Sequence, residues 1–257
     1  MLFDLGGVLA ATRPVQAAAW KRTFEEFLGA WDSEHGTRTT RFDERTDYAT
    51  YVDSKPSQDG VRDFLASRGI ELPEGSPDSR PGAESVWGLG NRQQLLVEDE
   101  LERTGVEAFP GSVAWVRELR EAGLRTAVVS TSRNCASILQ YAGITNLFDT
   151  RVGGVTAQNL RLPAKPLPDA YLEAARRLSV PPDREVVVED TGTGVQAGRA
   201  GAFGLVVGVD RDGHAEELAA PRDLAHRVSG TGPRVRHHRP DHRAGAGRHH
   251  DPAVRRR

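Results

Sequence analysis

Asp4 stands at the end of an apolar run, in Phe3-Asp4-Leu5-Gly6-Gly7-Val8-Leu9, where a strand would give way to a glycine turn. A carboxylate there is exposed and oriented for nucleophilic attack, although an aspartate ahead of Gly-Gly is also an ordinary turn former. Ala127-Val128-Val129 runs into Ser130-Thr131-Ser132-Arg133-Asn134, hydroxyls and a cation at a helix start. The free N–H groups and dipole of such a start suit an anion such as phosphate; the plain alternative is an N-cap with no ligand. Lys165-Pro166 holds a cation ahead of a helix beginning near Asp169. Val186-Val187-Val188-Glu189-Asp190 closes on two adjacent carboxylates, followed by Gly192 and Gly194. Neighbouring carboxylates repel unless a cation lies between them, so a hard metal, Mg²⁺, is the reading.

Such groups need strands that end where they stand. Met1 to Leu5, Arg125 to Ser130, Glu185 to Asp190 and Gly204 to Asp210 are apolar runs ending in small or acidic residues, and read as short buried strands. Helix-period segments separate them: Val113 to Ala122, Cys135 to Ala142, Asp169 to Leu178 and Val195 to Ala200. The alternation predicts a parallel sheet with helical crossovers, where ligands gather at the carboxyl ends of the strands. Arg13 to Glu107 breaks the pattern and reads as a mostly helical insert, a candidate cap domain. Trp20, Phe24, Phe27, Leu28 and Trp31 recur at three- and four-residue spacing, giving a helix from Pro14 to Ala30 one apolar face. Its default use is packing inside the insert. Further helices are expected over Val61 to Gly69 and Ala83 to Arg103, separated by the Pro- and Gly-rich stretch Leu72 to Gly82.

A chain of 257 residues suffices for one sizeable α/β core and a smaller lobe. No run approaches the roughly 18 apolar residues of a membrane span, and Asp4 interrupts the place of a leader's apolar core. With Cys135 as the single cysteine, an internal disulfide is excluded and the expected compartment is the cytoplasm. The charge is lopsided: residues 221–257 hold ten Arg, three Asp and six of the eight His, a net +7 within an overall −2. Rich in Gly and Pro and without interleaved aromatics, this basic tail reads as disordered rather than as a nucleic-acid surface. Its His237-His238 and His249-His250 pairs are expected to form no specific metal site. No nucleic-acid or membrane partner is expected.

The order of these motifs resembles the haloacid dehalogenase superfamily, in its β-phosphoglucomutase-like branch of phosphatases and mutases, over roughly residues 1 to 215. Ala19-Trp20, Phe109-Pro110-Gly111, Lys165-Pro166-Leu167-Pro168-Asp169 and Gly194-Val195-Gln196-Ala197-Gly198 carry it further. The resemblance implies an α/β fold, a Rossmann-like doubly wound parallel sheet formed by residues 1–12 and 108–220, with a helical cap over 13–107 and the tail from 221. It implies Asp4 as the nucleophile that forms an aspartyl-phosphate. Mg²⁺ would be held by Asp4, Glu189, Asp190 and the Gly6 carbonyl. Ser130, the Thr131 amide and Lys165 would neutralise the phosphoryl oxygens, assisted by Arg133 and Asn134. Thr12 and Trp20 would meet the sugar of a small phosphorylated substrate.

The chain departs from that pattern at chemically telling places. A second aspartate two residues after the nucleophile normally protonates the leaving oxygen, a contribution of about 10² to 10⁴ in rate, and Gly6 stands there. Gln16 and Gln93 replace an expected His and Lys, and an Arg expected near Ser57 is absent. After Val209-Asp210-Arg211 the usual helix and edge strand give way to the Arg-, His- and Gly-rich tail. Impaired phosphosugar phosphatase or mutase activity is the expectation. The alternatives are a phosphosugar-binding remnant without activity and carbon–halogen cleavage of a 2-haloacid, where the leaving halide needs no proton.

Overall fold

Leu2 and Phe3 are both fully buried, yet they pack into different hydrophobic clusters. Ala127 and Val129 likewise part from Val128, and Val187 from Val188. Strands buried on both faces in this alternating way need helices on each side. The computed structural model supplies them, and describes residues 1–211, 213 and 218 and the backbone of 225–227.

Six strands, all parallel, form one sheet: β1 (Leu2–Asp4), β2 (Ala127–Val129), β3 (Thr150–Val152), β4 (Val186–Glu189), β5 (Leu205–Asp210) and β6 (Ala225–Arg227), in the order β3-β2-β1-β4-β5-β6. The fold is α/β, as the alternation of runs predicts. The chain reverses its direction of winding between β1 and β4, so the crevice above those two adjacent strand ends is where this topology places a ligand.

Eight helices are described. On one face lie α4 (Pro110–Glu121) and α5 (Cys135–Tyr141), which bury Val116, Ile138 and Leu139 against Phe3, Val128 and Val188. On the other face, α7 (Asp169–Leu178) and α8 (Gly192–Ala200) pack on Leu2 and Val187. In α7 the buried residues Tyr171, Ala174, Ala175 and Leu178 keep the spacing of one helical stripe. Each large apolar side chain so buried contributes about 1.5–3 kcal/mol.

Helices α1 (Arg13–His35), α2 (Ser57–Ser67) and α3 (Val86–Thr104), with a π turn at Tyr48–Val52, form the insertion between β1 and β2. Its centre is aromatic: Trp20 stacks on Phe24 at 5.1 Å, and Phe24 meets Phe64 at 4.0 Å. Val15 and Ala19 of α1 and Leu96, Val97 and Leu101 of α3 instead join the cluster that holds Leu5, Val8 and Leu9. The two long helices therefore serve two cores at once. Asn134 and Ser137 also donate to Glu98 of α3, each at 2.7 Å, which fastens the insertion to α5.

Three elements differ from expectation. β3 and α6 (Gly154–Leu160) were not foreseen, because Thr150-Arg151-Val152 is too short and polar to register as an apolar run. The edge strand expected to be missing is present as a short one: β6 pairs parallel to β5, with Gly208 opposite Ala225 and Asp210 opposite Arg227. This corrects the reading of the whole of 221–257 as tail. The backbone of β5 offers a row of hydrogen-bonding groups to any extended segment, so pairing there needs no apolar pattern. The paired histidines at 237–238 and 249–250 lie outside the described residues. No helix among the described residues is long and apolar enough to cross a membrane.

Candidate active site

Parallel pairing sets the positions of the acidic groups. Leu2 and Phe3 of β1 lie beside Val187 and Val188 of β4, so Asp4 and Glu189 end neighbouring strands on the two sides of the switch. Carboxylate oxygens of Asp4, Glu189 and Asp190 all lie within 4.8 Å of one another. Glu189 is fully buried beneath this group.

Lys165 Nζ, itself buried, donates to Asp4 Oδ1 at 2.6 Å and also to Glu189 Oε1. Tyr171 OH donates to the same Glu189 oxygen at 2.6 Å. The second oxygen, Oε2, accepts the Asp190 and Thr191 N–H groups at 3.0 and 3.2 Å and the Thr191 hydroxyl at 3.1 Å. Glu189 is thus the most heavily anchored carboxylate of the three. Among the described residues no donor reaches the Asp190 carboxylate. Thr191 also caps α8, accepting the Gly194 N–H at 3.2 Å.

The charges are unevenly balanced. Burial pushes the Asp4 carboxyl up to about 7, opposed by Lys165 and reinforced by Glu189. Asp190 is raised well above the usual carboxylate range by burial and by its two acidic neighbours. Burial also acts against charge on Glu189, but Lys165 outweighs it and holds this carboxyl below its ordinary value. Lys165 stays charged: burial lowers its pKa, and Asp4 and Glu189 together raise it by more. Three carboxylates with one ammonium leave negative charge uncompensated, and hard oxygen donors so grouped fit a divalent cation such as Mg²⁺. Gly6 N–H donates to the Asp4 carboxylate and the Gly6 carbonyl accepts Val8 N–H at 2.7 Å, leaving that carbonyl a second lone pair.

Above these acids opens a cavity of about 860 Å³ between the sheet and the insertion. Asp4, Gly6, Lys165 and Asp190 line its floor, with Ser130, Thr131 and Arg133 on the β2 side. Thr12 and Trp20 line it from the insertion's side. Ten of the eleven residues singled out in the sequence therefore face one space, and Glu189 supports it from below.

Individual residues behave differently within that set. Ser130, the residue after β2, accepts the Ser132 N–H on its Oγ at 3.2 Å. Arg133 donates to Asn91 at 2.7 Å and lies over the Trp87 ring at 5.9 Å, while its buried Nε has no hydrogen-bond partner. Asn134 also lines the cavity, and its amide donates to the Gln94 carbonyl at 3.2 Å and to Glu98 at 2.7 Å, both on α3. Trp20 is almost wholly buried in the aromatic cluster and presents little more than an edge to the cavity.

The sequence reading passed over Tyr171, Arg211 and Asp53, and it named Gln16 and Gln93 without bringing them together. Tyr171 looks like an ordinary core aromatic, and only packing brings its hydroxyl to Glu189. Arg211 donates from Nε to the Gly7 carbonyl at 2.5 Å and from Nη2 to the Val8 carbonyl at 3.1 Å, clamping the turn after Asp4. Gln16 and Gln93 meet across α1 and α3, Gln93 Nε2 donating to Gln16 Oε1 at 2.9 Å, as a neutral pair on the cavity wall. Asp53 also lines the cavity.

A family model described as haloacid dehalogenase-like hydrolase matches residues 1–201. The β-phosphoglucomutase of Mycobacterium tuberculosis (strain CDC 1551 / Oshkosh) is 44% identical over 221 residues, spanning 86% of this chain and 84% of that protein. Hexitol phosphatase A of Escherichia coli K12 is 28% identical over 199 residues, 77% of each. Among solved structures, CbbY from Rhodobacter sphaeroides in complex with phosphate superposes with a TM-score of 0.66 at 25% identity, covering 87% of this chain and 92% of that one.

Proposed function

The chain belongs to the haloacid dehalogenase-like hydrolases, and from that membership we propose a Mg²⁺-dependent phosphoryl transfer from a sugar phosphate, through an aspartyl-phosphate on Asp4. The observation that carries this reading is the grouping of the Asp4, Glu189 and Asp190 carboxylates within 4.8 Å, with Lys165 between two of them, at the floor of a cavity roofed by the insertion. A cavity of that size holds a monosaccharide phosphate.

Asp4 Oδ attacks phosphorus and becomes the acyl phosphate. Asp4, Glu189, Asp190 and the Gly6 carbonyl would hold Mg²⁺, which would supply charge neutralisation to the transferring phosphoryl group. Lys165 keeps the Asp4 carboxylate in place and adds its own positive charge. Ser130, the Thr131 amide and Arg133 bind the phosphoryl oxygens, Arg133 with an Nε that has no other partner. Thr12 and the edge of Trp20 contact the sugar, and the insertion keeps bulk water out. The neutral Gln16–Gln93 pair on the wall offers no cation to a second phosphate, which favours hydrolysis of a monophosphate over mutase chemistry on a bisphosphate. Gly6 supplies no proton, so turnover is slow unless another group does.

The test is Mg²⁺-dependent phosphate release from a panel of sugar monophosphates by the wild-type chain and Asp4→Asn. Release by the wild type and none by Asp4→Asn supports the reading; equal release by both sinks it.

A further inference from the structure

Among the described residues lining the cavity, the carboxylates are Asp4, Asp53, Asp190 and Asp210. Asp4 and Asp190 belong to the acidic group on the floor. Asp210 ends β5 and accepts the Gly213 N–H at 2.7 Å. Asp53 alone comes from the insertion, and it lines the same cavity as Asp4.

Its placement is built by the backbone. Asp53 closes the π turn, its N–H donating to the Tyr48 carbonyl at 2.9 Å. The next residue, Ser54, has φ 58°, a left-handed conformation that a residue with a side chain adopts at a cost and that recurs at functional turns. Ser54 Oγ donates to Asp53 Oδ1 at 3.4 Å, leaving capacity on the other oxygen. Lys55, which also lines the cavity, donates to Asp63 at 2.6 Å. The charged and titratable groups that face Asp53 are Arg13 from α1, Glu189 and Asp190 from the core, and Tyr48 of its own turn. Burial raises its pKa against the pull of Arg13.

We propose that Asp53, reaching the cavity from the insertion, is the general acid and base that position 6 does not provide. The inference rests on the phosphoryl-transfer reading above. In the first step Asp4 Oδ bonds to phosphorus as the P–O ester bond breaks. The electron pair of that bond goes to the ester oxygen, which takes the Asp53 proton and leaves as an alcohol. In the second step a water oxygen bonds to the acyl phosphate phosphorus while the Asp53 carboxylate takes a water proton. The bond between phosphorus and Asp4 breaks with its electrons on Asp4, releasing orthophosphate and restoring both carboxyl groups.

The experiment uses the full chain with Mg²⁺ and two probes, a glucose monophosphate, whose alkoxide must be protonated, and p-nitrophenyl phosphate, whose phenolate leaves without a proton. Wild type, Asp53→Asn, Asp53→Glu and Asp4→Asn are compared by steady-state release and by the pre-steady-state burst of nitrophenolate. Loss of a general acid–base predicts that Asp53→Asn falls by about 10²-fold or more on the glucose phosphate. Its nitrophenolate burst falls far less, and Asp53→Glu recovers part of the loss. Asp53→Asn matching an active wild type on the glucose phosphate overturns the inference alone, as does an equal loss on both probes, which would mark a structural role. A wild type no more active than Asp4→Asn on either probe overturns the phosphoryl-transfer reading and this one with it.

Discussion

The hydroxyl oxygen of Thr12 lies 2.7 Å from the position that a β-carbon on Gly6 would take. The next nearest atoms, Asp4 Oδ2 and Thr12 Cβ, are 3.9 and 4.0 Å away, so one side-chain hydroxyl fills the room in which residue 6 would carry a carboxylate. Thr12 makes no side-chain capping bond to α1, and a χ1 rotation frees the space. Gly6→Asp is therefore expected to fold. Its gain in turnover on sugar monophosphates should be modest in the wild-type background and about 10²-fold or more in Asp53→Asn, where no other carboxyl serves. Steady-state phosphate release by the four combinations checks this; an equal gain in both backgrounds would show that the two carboxyls do not share one task.

Gly194 is packed against the site's most anchored acid. A β-carbon there would fall 1.9 Å from the Glu189 carboxylate, and Glu189, held by Lys165, Tyr171 and Thr191, has no direction in which to yield. Gly194→Ala is expected to abolish Mg²⁺ binding measured by isothermal titration, with a stability loss of the size that overpacking brings, about 1–3 kcal/mol.

Arg211 reaches from the end of β5 to the carbonyls of Gly7 and Val8 and to Ser112 Oγ at 3.0 Å, with its guanidinium 3.6 Å from the Phe109 ring centroid. Arg211→Ala removes hydrogen bonds made by a charged donor, worth about 1.5–3 kcal/mol together. For a chain of this size that is a fall in Tm of several degrees, at about 2–4 °C per kcal/mol. Thermal unfolding without Mg²⁺ measures it. An unchanged Tm would mean that the clamp holds nothing.

The Asp4 carboxyl, raised from its ordinary value of 3.8 to about 7, gives the metal-free protein a signed pH dependence. The favourable contribution of keeping it protonated is present below the unfolded value and lost as pH rises through about 7. Mg²⁺ needs the ionised form, so it competes with that proton. The Mg²⁺-induced rise in Tm is expected to be small near pH 6 and larger near pH 8, following the ionisation of Asp4. Asp4→Asn should flatten the trend; a rise independent of pH in the wild type would place the cation elsewhere.

The amino-acid sequence by itself determined which chemistry is available and the order in which the strands deliver it. Asp4, Ser130 and Glu189-Asp190 are legible because each follows a short apolar run, and run length and helical spacing are local properties of the chain. Lys165 is legible through its place ahead of the α7 helix. Asp53 was not, since Val52-Asp53-Ser54 reads as a surface turn, and only the fold of the insertion lays that turn over the acids of β1 and β4. The same holds for the meeting of Gln16 with Gln93, 77 residues apart, of Arg211 with Gly7, 204 residues apart, and of the Asn134 amide with α3. The pairing of β6 on β5 was invisible for a further reason: backbone groups, not side chains, make that contact. What tertiary structure decided was each of these long-range meetings, because a side chain's partner depends on how elements distant in sequence pack around a common core, and no local pattern records that.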